Sequence, residues 1–485
     1  MIQSHSPENL EVPPARRRAR RVWLYWIPAA FAAVALLVWA GSLWRAKAAS
    51  AEVRSLAVLP FVDSSPQKEG DWFTSGVTGE VVDALQHVSG LKVMERNAPG
   101  IAAVIQGTIR HAGDRTRVDL RMTRTADRYD LWAVSLDQPS DHLNGLPRAI
   151  AEAIASRLQV RLDRASFARH QPSQEAYSAY LQGRYFLDRH HLDQAVERLE
   201  ESTLADSEFA LAWAWLSIAR EYRVDGGMAR PNHAMPASRD AAERAVALDQ
   251  NCGDAHLALG IVKLQYDWDW PGAREELDRA VQASPGSPFA IQWRARWYET
   301  QGRINEAIAE AQRALALDPL SEALPEDLAR QYLSANQAQR ALPFAQKAAE
   351  LQPDATAPRA LLAEALFFAG QKEESRQVAA GLPATVRATV AAQQGDPSAA
   401  RQLLNEAEDL PDEQLQPAVA YAQLAAATAD WDRAFSWMAE AVGERDCQLP
   451  YLLWSPLILK SDPRFAGMLV QMNLPAATVS NAPAR

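Results

Sequence analysis

Catalysis and metal binding need particular side chains at particular spacings, and few places in this 485-residue chain offer them. The adjacent pair His190-His191 invites a metal reading, yet neighbours on a helix point apart and cannot both reach one ion. The pair is therefore read as solvent-facing. Asp267-Trp268-Asp269-Trp270 sets two carboxylates between indoles, a composition that suits a cation or a sugar. With Ala273 just beyond, it is assigned instead to packing at a turn between two helices. Gly76-Val77-Thr78-Gly79 lacks the strand, loop and lysine of a phosphate-binding loop. Nine histidines can be combined on paper with serines and aspartates, but no Gly-x-Ser-x-Gly elbow supports a triad. Cys252 and Cys447 fit no metal-ligand spacing and are read as unpaired small hydrophobes. Glu373-Glu374 and the acidic residues of 406–412 read as solvated helix faces and loops. No catalytic residue, cofactor-binding residue or metal ligand is nominated. The expectation is a protein without catalysis or cofactor.

The elements behind these residues are legible through a repeat. Pro285, Pro319 and Pro353 stand 34 residues apart, as do Ala273, Ala307 and Ala341, and Ala280, Ala314 and Ala348; Tyr298 and Tyr332 keep the same step. Small residues, an aromatic and a proline at fixed places in a 34-residue period are the pattern of the tetratricopeptide (TPR) repeat. Alanines belong where the two helices of a repeat approach most closely, and proline ends the second helix. The register extends upstream through Gly183, Phe186, Ala195 and Leu199, then Trp213, Leu216 and Ala245, then Leu259, Gly260, Ala273 and Leu277. The second of these repeats is read as stretched by a loop over 225–236. Downstream, Ala363, Leu366 and Ser375 keep phase, and Trp431, Ala434, Met438 and Ala441 restore it after a degenerate stretch. Seven or eight units are expected over 173–475. Residues 451–474, with Ser461-Asp462-Pro463-Arg464-Phe465, supply the terminal cap that a solenoid needs for its last apolar face.

Residues 22–44 carry no charge, enough helix to cross a hydrocarbon core of roughly 30 Å. Trp23, Tyr25 and Trp26 mark one end, and Trp39 and Trp44 the other, where indole and phenol rings favour the headgroup boundary. Five arginines at 16–18 and 20–21 precede the span. The positive-inside bias places residues 1–21 in the cytoplasm and the bulk of the chain across the membrane. Ala46-Lys47-Ala48 resembles a signal-peptidase site, but the apolar span exceeds the usual h-region, so an uncleaved anchor is expected. The paired arginines lack the flanks of a twin-arginine signal. A net charge of −10 argues against a nucleic-acid-binding body, which would have to neutralise phosphates.

Between anchor and repeats, over 55–162, the periodicities change from residue to residue as in an α/β unit. Residues 55–61 form an apolar run ended by Pro60-Phe61, a buried central strand. Phe73, Val77, Val81, Ala84 and Leu85 recur at helical spacing up to Gly90. Leu91-Lys92-Val93-Met94-Glu95 and residues 103–110 are further strands. Val118, Leu120 and Met122 alternate with charged residues, and 129–136 pairs back as a hairpin. A helix over 141–160 closes the unit with Leu146, Ile150, Ile154 and Leu158 on one face. This order, with its Phe-x-x-x-Val helix, Leu-x-Val-x-x-Arg, Gly-x-Ile-Arg strand and Arg-Val-Asp-Leu/Leu-Trp hairpin, resembles the TolB amino-terminal-like domain. That domain occurs between a membrane helix and TPR repeats in CadC-like membrane regulators and in some adenylate-cyclase-type proteins. The chain departs from those relatives over 96–103, where they carry a further helix. Only about twenty residues precede the span here, where CadC-like relatives carry a winged-helix DNA-binding domain, so direct transcription control is not expected.

The fold class expected is therefore α+β multi-domain. A basic tail (1–21), a single transmembrane helix (22–44) and a linker (45–54) lead to a small TolB-like α/β module (55–162). A second linker (163–172) joins it to an all-α TPR superhelix (173–475), followed by a tail (476–485). The expected function is a scaffold in the inner membrane of a bacterium. It would hold a protein or peptide partner in the concave groove of the repeats, on the periplasmic side, and bind no nucleic acid. The alternative is a regulatory subunit that signals through a separate cytoplasmic effector.

Overall fold

The computed structural model describes residues 53–65, 70–88, 90–95, 100–139, 143–162, 170–408, 418–453, 455 and 461–474. The membrane span inferred over 22–44 and the acidic loop after Glu408 lie outside the described residues. Among the described residues no helix is long and apolar enough to cross a membrane.

The α/β module grows from a short buried strand. β1 (Ser55–Val58) lies between β3 (Lys92–Met94) and β4 (Ala103–Ala112), parallel to both, while β2 (Val62–Asp63) extends the pairing along β4. β5 (Arg115–Arg124) and β6 (Asp130–Pro139) add an antiparallel meander. Alternation decides which face is covered: Val118, Leu120 and Met122 of β5 are buried, and Arg117, Asp119 and Arg121 between them are exposed. Helices α1 (Asp71–Gln86) and α2 (Leu146–Leu158) cover the apolar face. Their buried stripes are Phe73, Val77, Val81 and Leu85 on α1, and Leu146, Ile150, Ile154 and Leu158 on α2. Gly107 is required where β4 passes Phe61, because a Cβ there would stand 2.6 Å from the Phe61 ring.

Among the described residues eight helical hairpins follow: α3/α4 (Gln174–Leu187, Leu192–Ala205), α5/α6 (Ala210–Asp225, Pro231–Leu248), α7/α8 (Gly253–Val262, Trp270–Ala283) and α9/α10 (Pro288–Thr300, Ile304–Leu317). The series continues as α11/α12 (Leu324–Ser334, Ala338–Leu351), α13/α14 (Thr356–Phe368, Lys372–Ala379), α15/α16 (Ala384–Gln393, Pro397–Glu408) and α17/α18 (Ala418–Ala427, Trp431–Glu444). The periodic alanines are the hairpin contacts: Ala273, Ala307, Ala341, Ala400 and Ala434 are all fully buried. Ser375 takes the same place and satisfies its hydroxyl on the Ala363 carbonyl at 2.7 Å. In the first repeat glycine is obligatory opposite Leu199, since a Cβ on Gly183 would come within 2.5 Å of that side chain. First helices pack on first helices from repeat to repeat, so they form the inner layer and the second helices the outer one.

One feature differs from the sequence reading. The loop expected over 225–236 is shorter, because α6 already begins at Pro231 and takes Pro236 into its body. A proline at the first helical position has no N–H to leave unsatisfied, so it starts a helix as readily as it ends one. In the third repeat α7 runs on as a π turn (Lys263–Asp267). That turn carries an additional residue, and it explains why the spacing before Ala273 drifts out of phase with the repeats on either side. Two short helices, α19 (Leu449–Leu452) and α20 (Pro463–Gln471), end the described chain.

Candidate functional site

The inner layer is where a TPR solenoid presents its side chains to a ligand, and most of it here is covered by other parts of the same chain. Over the first three repeats the cover is the α/β module. Helix α1 lies against α3, with Gly76 so close to Leu181 that a Cβ would meet it at 2.8 Å. Tyr180 donates its hydroxyl to Glu80 at 2.7 Å, and Arg184 reaches Asp83 at 3.4 Å. The same guanidinium sits 3.6 Å from the centre of the Trp215 ring, whose indole N–H donates to Asp254 at 2.9 Å. The far end of α1 meets the third repeat, where Gly286 N–H donates to the Gln86 carbonyl at 3.0 Å. Burial pushes the Glu80 carboxyl up to about 7, helped by Asp83 and opposed by Arg184. Asp83 rises to about 6, again chiefly through burial.

A cavity of about 110 Å³ remains at this junction, lined among others by Glu80, Asp83, Tyr177, Phe209, Cys252 and Asp254. The Tyr177 hydroxyl is buried there without a hydrogen-bond partner. Among the described residues no group of three or more His, Cys, Asp or Glu is placed to hold a metal ion.

Over repeats two to five the C-terminal segment touches the second helices α6 and α8 and reaches the inner layer at Tyr451. Arg445 donates to the Tyr266 carbonyl at 2.8 Å, Trp270 to the Met472 carbonyl at 2.7 Å, and Asn232 to the Gly443 carbonyl at 3.1 Å. Tyr451 enters the inner layer, with its hydroxyl on Gln265 at 3.3 Å and its ring 5.0 Å from the Arg330 guanidinium. Beneath it lies a buried charge network. Arg330 pairs with Glu299 at 2.8 Å and with Asp327 at 2.7 Å, Arg296 pairs with Asp327 at 3.1 Å, and Gln292 donates to Asp327 at 2.7 Å. Burial alone would raise the Asp327 carboxyl, but the two arginines hold it below its ordinary range. Glu221, buried beside Asp225 with less compensation, is pushed up to about 8. The segment expected to cap the last repeat thus does more than cap. Asp462 caps α20 and Phe465 is buried, while Trp270 ties Met472, just past α20, to the third repeat.

Further along, on α13 and α15, the inner layer is left uncovered among the described residues. Leu361, Glu364, Phe367 and Phe368 of α13 are only partly buried, as are Thr389, Ala392 and Gln393 of α15. Burial in the groove wall pushes the Glu364 carboxyl up to about 7. Neither Oε1 nor Nε2 of Gln393 finds a partner.

The motifs singled out for chemistry lie elsewhere. His190 and His191 occupy the exposed turn between α3 and α4, with His191 against Gln194. In the 267–270 motif, Asp267 pairs with Arg239, Trp268 is buried at a left-handed turn, and Asp269 caps α8 by accepting from Gly272 N–H at 3.1 Å. These are turn-packing roles. Sequence reading named no groove residue; the signal it could have used is the side chain that follows each buried small residue of the first helices, as Arg330 follows Ala329.

No family model matches the chain. Part of it is similar to a putative adenylate cyclase 3 of Rhizobium meliloti (strain 1021), with 28% identity over 125 residues. That stretch is 22% of this chain and spans only 21% of the curated relative. Among solved structures, a thermophilic TPR protein of Thermus thermophilus is 19% identical over 39% of this chain and 98% of its own, with a TM-score of 0.34. PilF of Pseudomonas aeruginosa is 14% identical over 48% of this chain and 98% of its own, also at 0.34. The repeat assignment stands on the chain's own hairpins and their 34-residue period: this is a TPR-type helical solenoid joined to a small mixed sheet.

Proposed function

We propose that the chain is a membrane-anchored scaffold that binds a protein or peptide partner on the inner face of its repeats and catalyses nothing itself. One observation carries this reading. Among the described residues the inner face is covered by the chain's own segments over repeats one to five and left uncovered on α13 and α15, where aromatic and polar side chains remain part-exposed. An open, mixed apolar and polar strip on a rigid helical stack suits a peptide segment better than a small substrate. The anchor reading rests on the uncharged span of residues 22–44 and the five arginines before it. By the positive-inside bias the repeats then face the periplasm.

The test is in-cell photo-crosslinking from Phe368 on the inner face and Lys347 on the outer face, with a topology reporter fused after residue 10 or after residue 474. An envelope protein captured from Phe368 and not from Lys347, with the two reporters on opposite sides, is the expected result. Equal capture from both faces refutes groove binding, and cytoplasmic capture refutes the orientation. The second reading, a signalling subunit, is favoured by the titratable contact between module and repeats. It requires a cytoplasmic partner on residues 1–21, which crosslinking from that tail would reveal.

A further inference from the structure

We infer that the open stretch of groove on α13 and α15 receives a peptide segment of a partner protein through a basic side chain seated on Glu364. This rests on the scaffold reading and specifies its partner. The argument comes from what already fills the rest of the groove. In four repeats a charged residue directly follows the small, buried residue of the first helix: Arg184 after Gly183, Arg296 after Ala295, Arg330 after Ala329, and Glu364 after Ala363. Arg296, Arg330 and Glu364 stand 34 residues apart, so all three occupy one structural place.

Each of the arginines meets an opposite charge, a docked segment, or both. Arg184 holds Glu80 and Asp83 of the incoming module. Arg296 holds Asp327, and Arg330 holds Asp327 and Glu299 while carrying the Tyr451 ring of the C-terminal segment. Glu364 takes this place with the sign reversed and has neither hydrogen bond nor ion pair among the described residues. A carboxylate in a desolvating wall without a cation is best compensated by a lysine or arginine.

Two neighbours fit the same occupant. One repeat on, the Gln393 amide is buried with donor and acceptor both unused, which matches a peptide bond that offers one of each. Phe367 and Phe368, edge to face at 5.3 Å between centroids, give apolar side chains a surface beside the charge. The Lys372 ammonium lies 5.8 Å from the centre of the Phe367 ring, and among the described residues no ion pair joins it to Glu364.

The test uses the full chain in detergent micelles and two fluorescein-labelled nonapeptides of alanine and leucine, one with a central lysine and one with a central norleucine. Fluorescence anisotropy at pH 8 should show the lysine peptide binding about tenfold more tightly, the contribution of one charge-assisted hydrogen bond. E364Q should remove that difference. E364K should transfer the preference to a central-glutamate peptide, with unchanged circular dichroism as the folding control. Gln393→Leu should weaken all the peptides together. Equal affinity for lysine and norleucine peptides, or a preference that survives E364Q, overturns the inference and leaves the scaffold reading standing. No binding of any peptide overturns both. A dimer in sedimentation velocity that E364K dissociates also overturns it, by making a second copy the occupant.

Discussion

Glu80 decides how the α/β module stays on the repeats, and its replacement by glutamine sets two electrostatic effects against each other. If the pairing with Arg184 dominated, removing the carboxylate would leave a buried guanidinium short of a partner, at a cost of about 3–5 kcal/mol. The geometry says otherwise. The closest approach of Arg184 to Glu80 is 3.9 Å, while Glu80 itself is about four-fifths buried and its carboxyl rises from 4.5 to about 7. A carboxyl whose docked value lies above its free value contributes stability that is fully present below the free value. That contribution is lost as pH rises through the docked value. The window therefore runs from about 4.5 to about 7, and the docked state weakens as pH rises through it. At about 1.4 kcal/mol per unit the shift is worth roughly 3 kcal/mol, reduced to about 1–3 by residual solvent. E80Q keeps an acceptor for Tyr180 and cannot ionise, so it should stabilise docking by about 1–3 kcal/mol at pH 8 and leave it nearly unchanged at pH 5. Hydrogen exchange on the amides of Asp71–Gln86, corrected for intrinsic rates, measures this directly as slower opening of α1 at the higher pH. Wild-type protection that rises from pH 5 to pH 8, or an E80Q protein that opens faster at pH 8, would refute the desolvation argument and restore the ion pair as the stronger effect.

Other contacts make sharper steric claims. Gly286→Ala drives a Cβ to 2.6 Å from the Gln86 backbone oxygen, so it should loosen the module by about 1–3 kcal/mol, seen as faster proteolysis between module and repeats with repeat helicity retained. Gly183→Val should lower the melting temperature of the first repeat by a similar overpacking cost of about 1–3 kcal/mol, since Leu199 already occupies the space. Tyr451→Ala should cost about 3–5 kcal/mol in urea denaturation as the ring leaves the groove. Tyr451→Phe should cost only about 0.5–1.5 kcal/mol, because the hydroxyl bond to Gln265 is long at 3.3 Å. Equal losses for the two Tyr451 variants would mean that the hydroxyl, not the ring, closes the groove.

What could be read from the chain alone was whatever repeats or alternates. The alanines at 273, 307 and 341 announce helix-to-helix contacts because close approach tolerates no larger side chain. Their 34-residue step determines hairpins and register and leaves the number of units at seven or eight. The alternation of Val118, Leu120 and Met122 likewise assigns a covered sheet face. Where the period broke, the reading slipped. Pro231 looked like part of a loop because proline can start a helix as well as end one.

Which surface the groove would offer depended on contacts between residues remote in sequence, and no local pattern encodes those. Gly286 meets Gln86, Trp270 meets Met472, and Arg330 carries Tyr451. A solenoid forms from neighbour-to-neighbour packing, so sequence by itself determined the repeats and their inner layer. Contacts remote in sequence then set the α/β module and the segment after α18 against that layer. Only the tertiary structure decided that repeats one to five are already covered, and that Glu364 stands in the part left uncovered among the described residues.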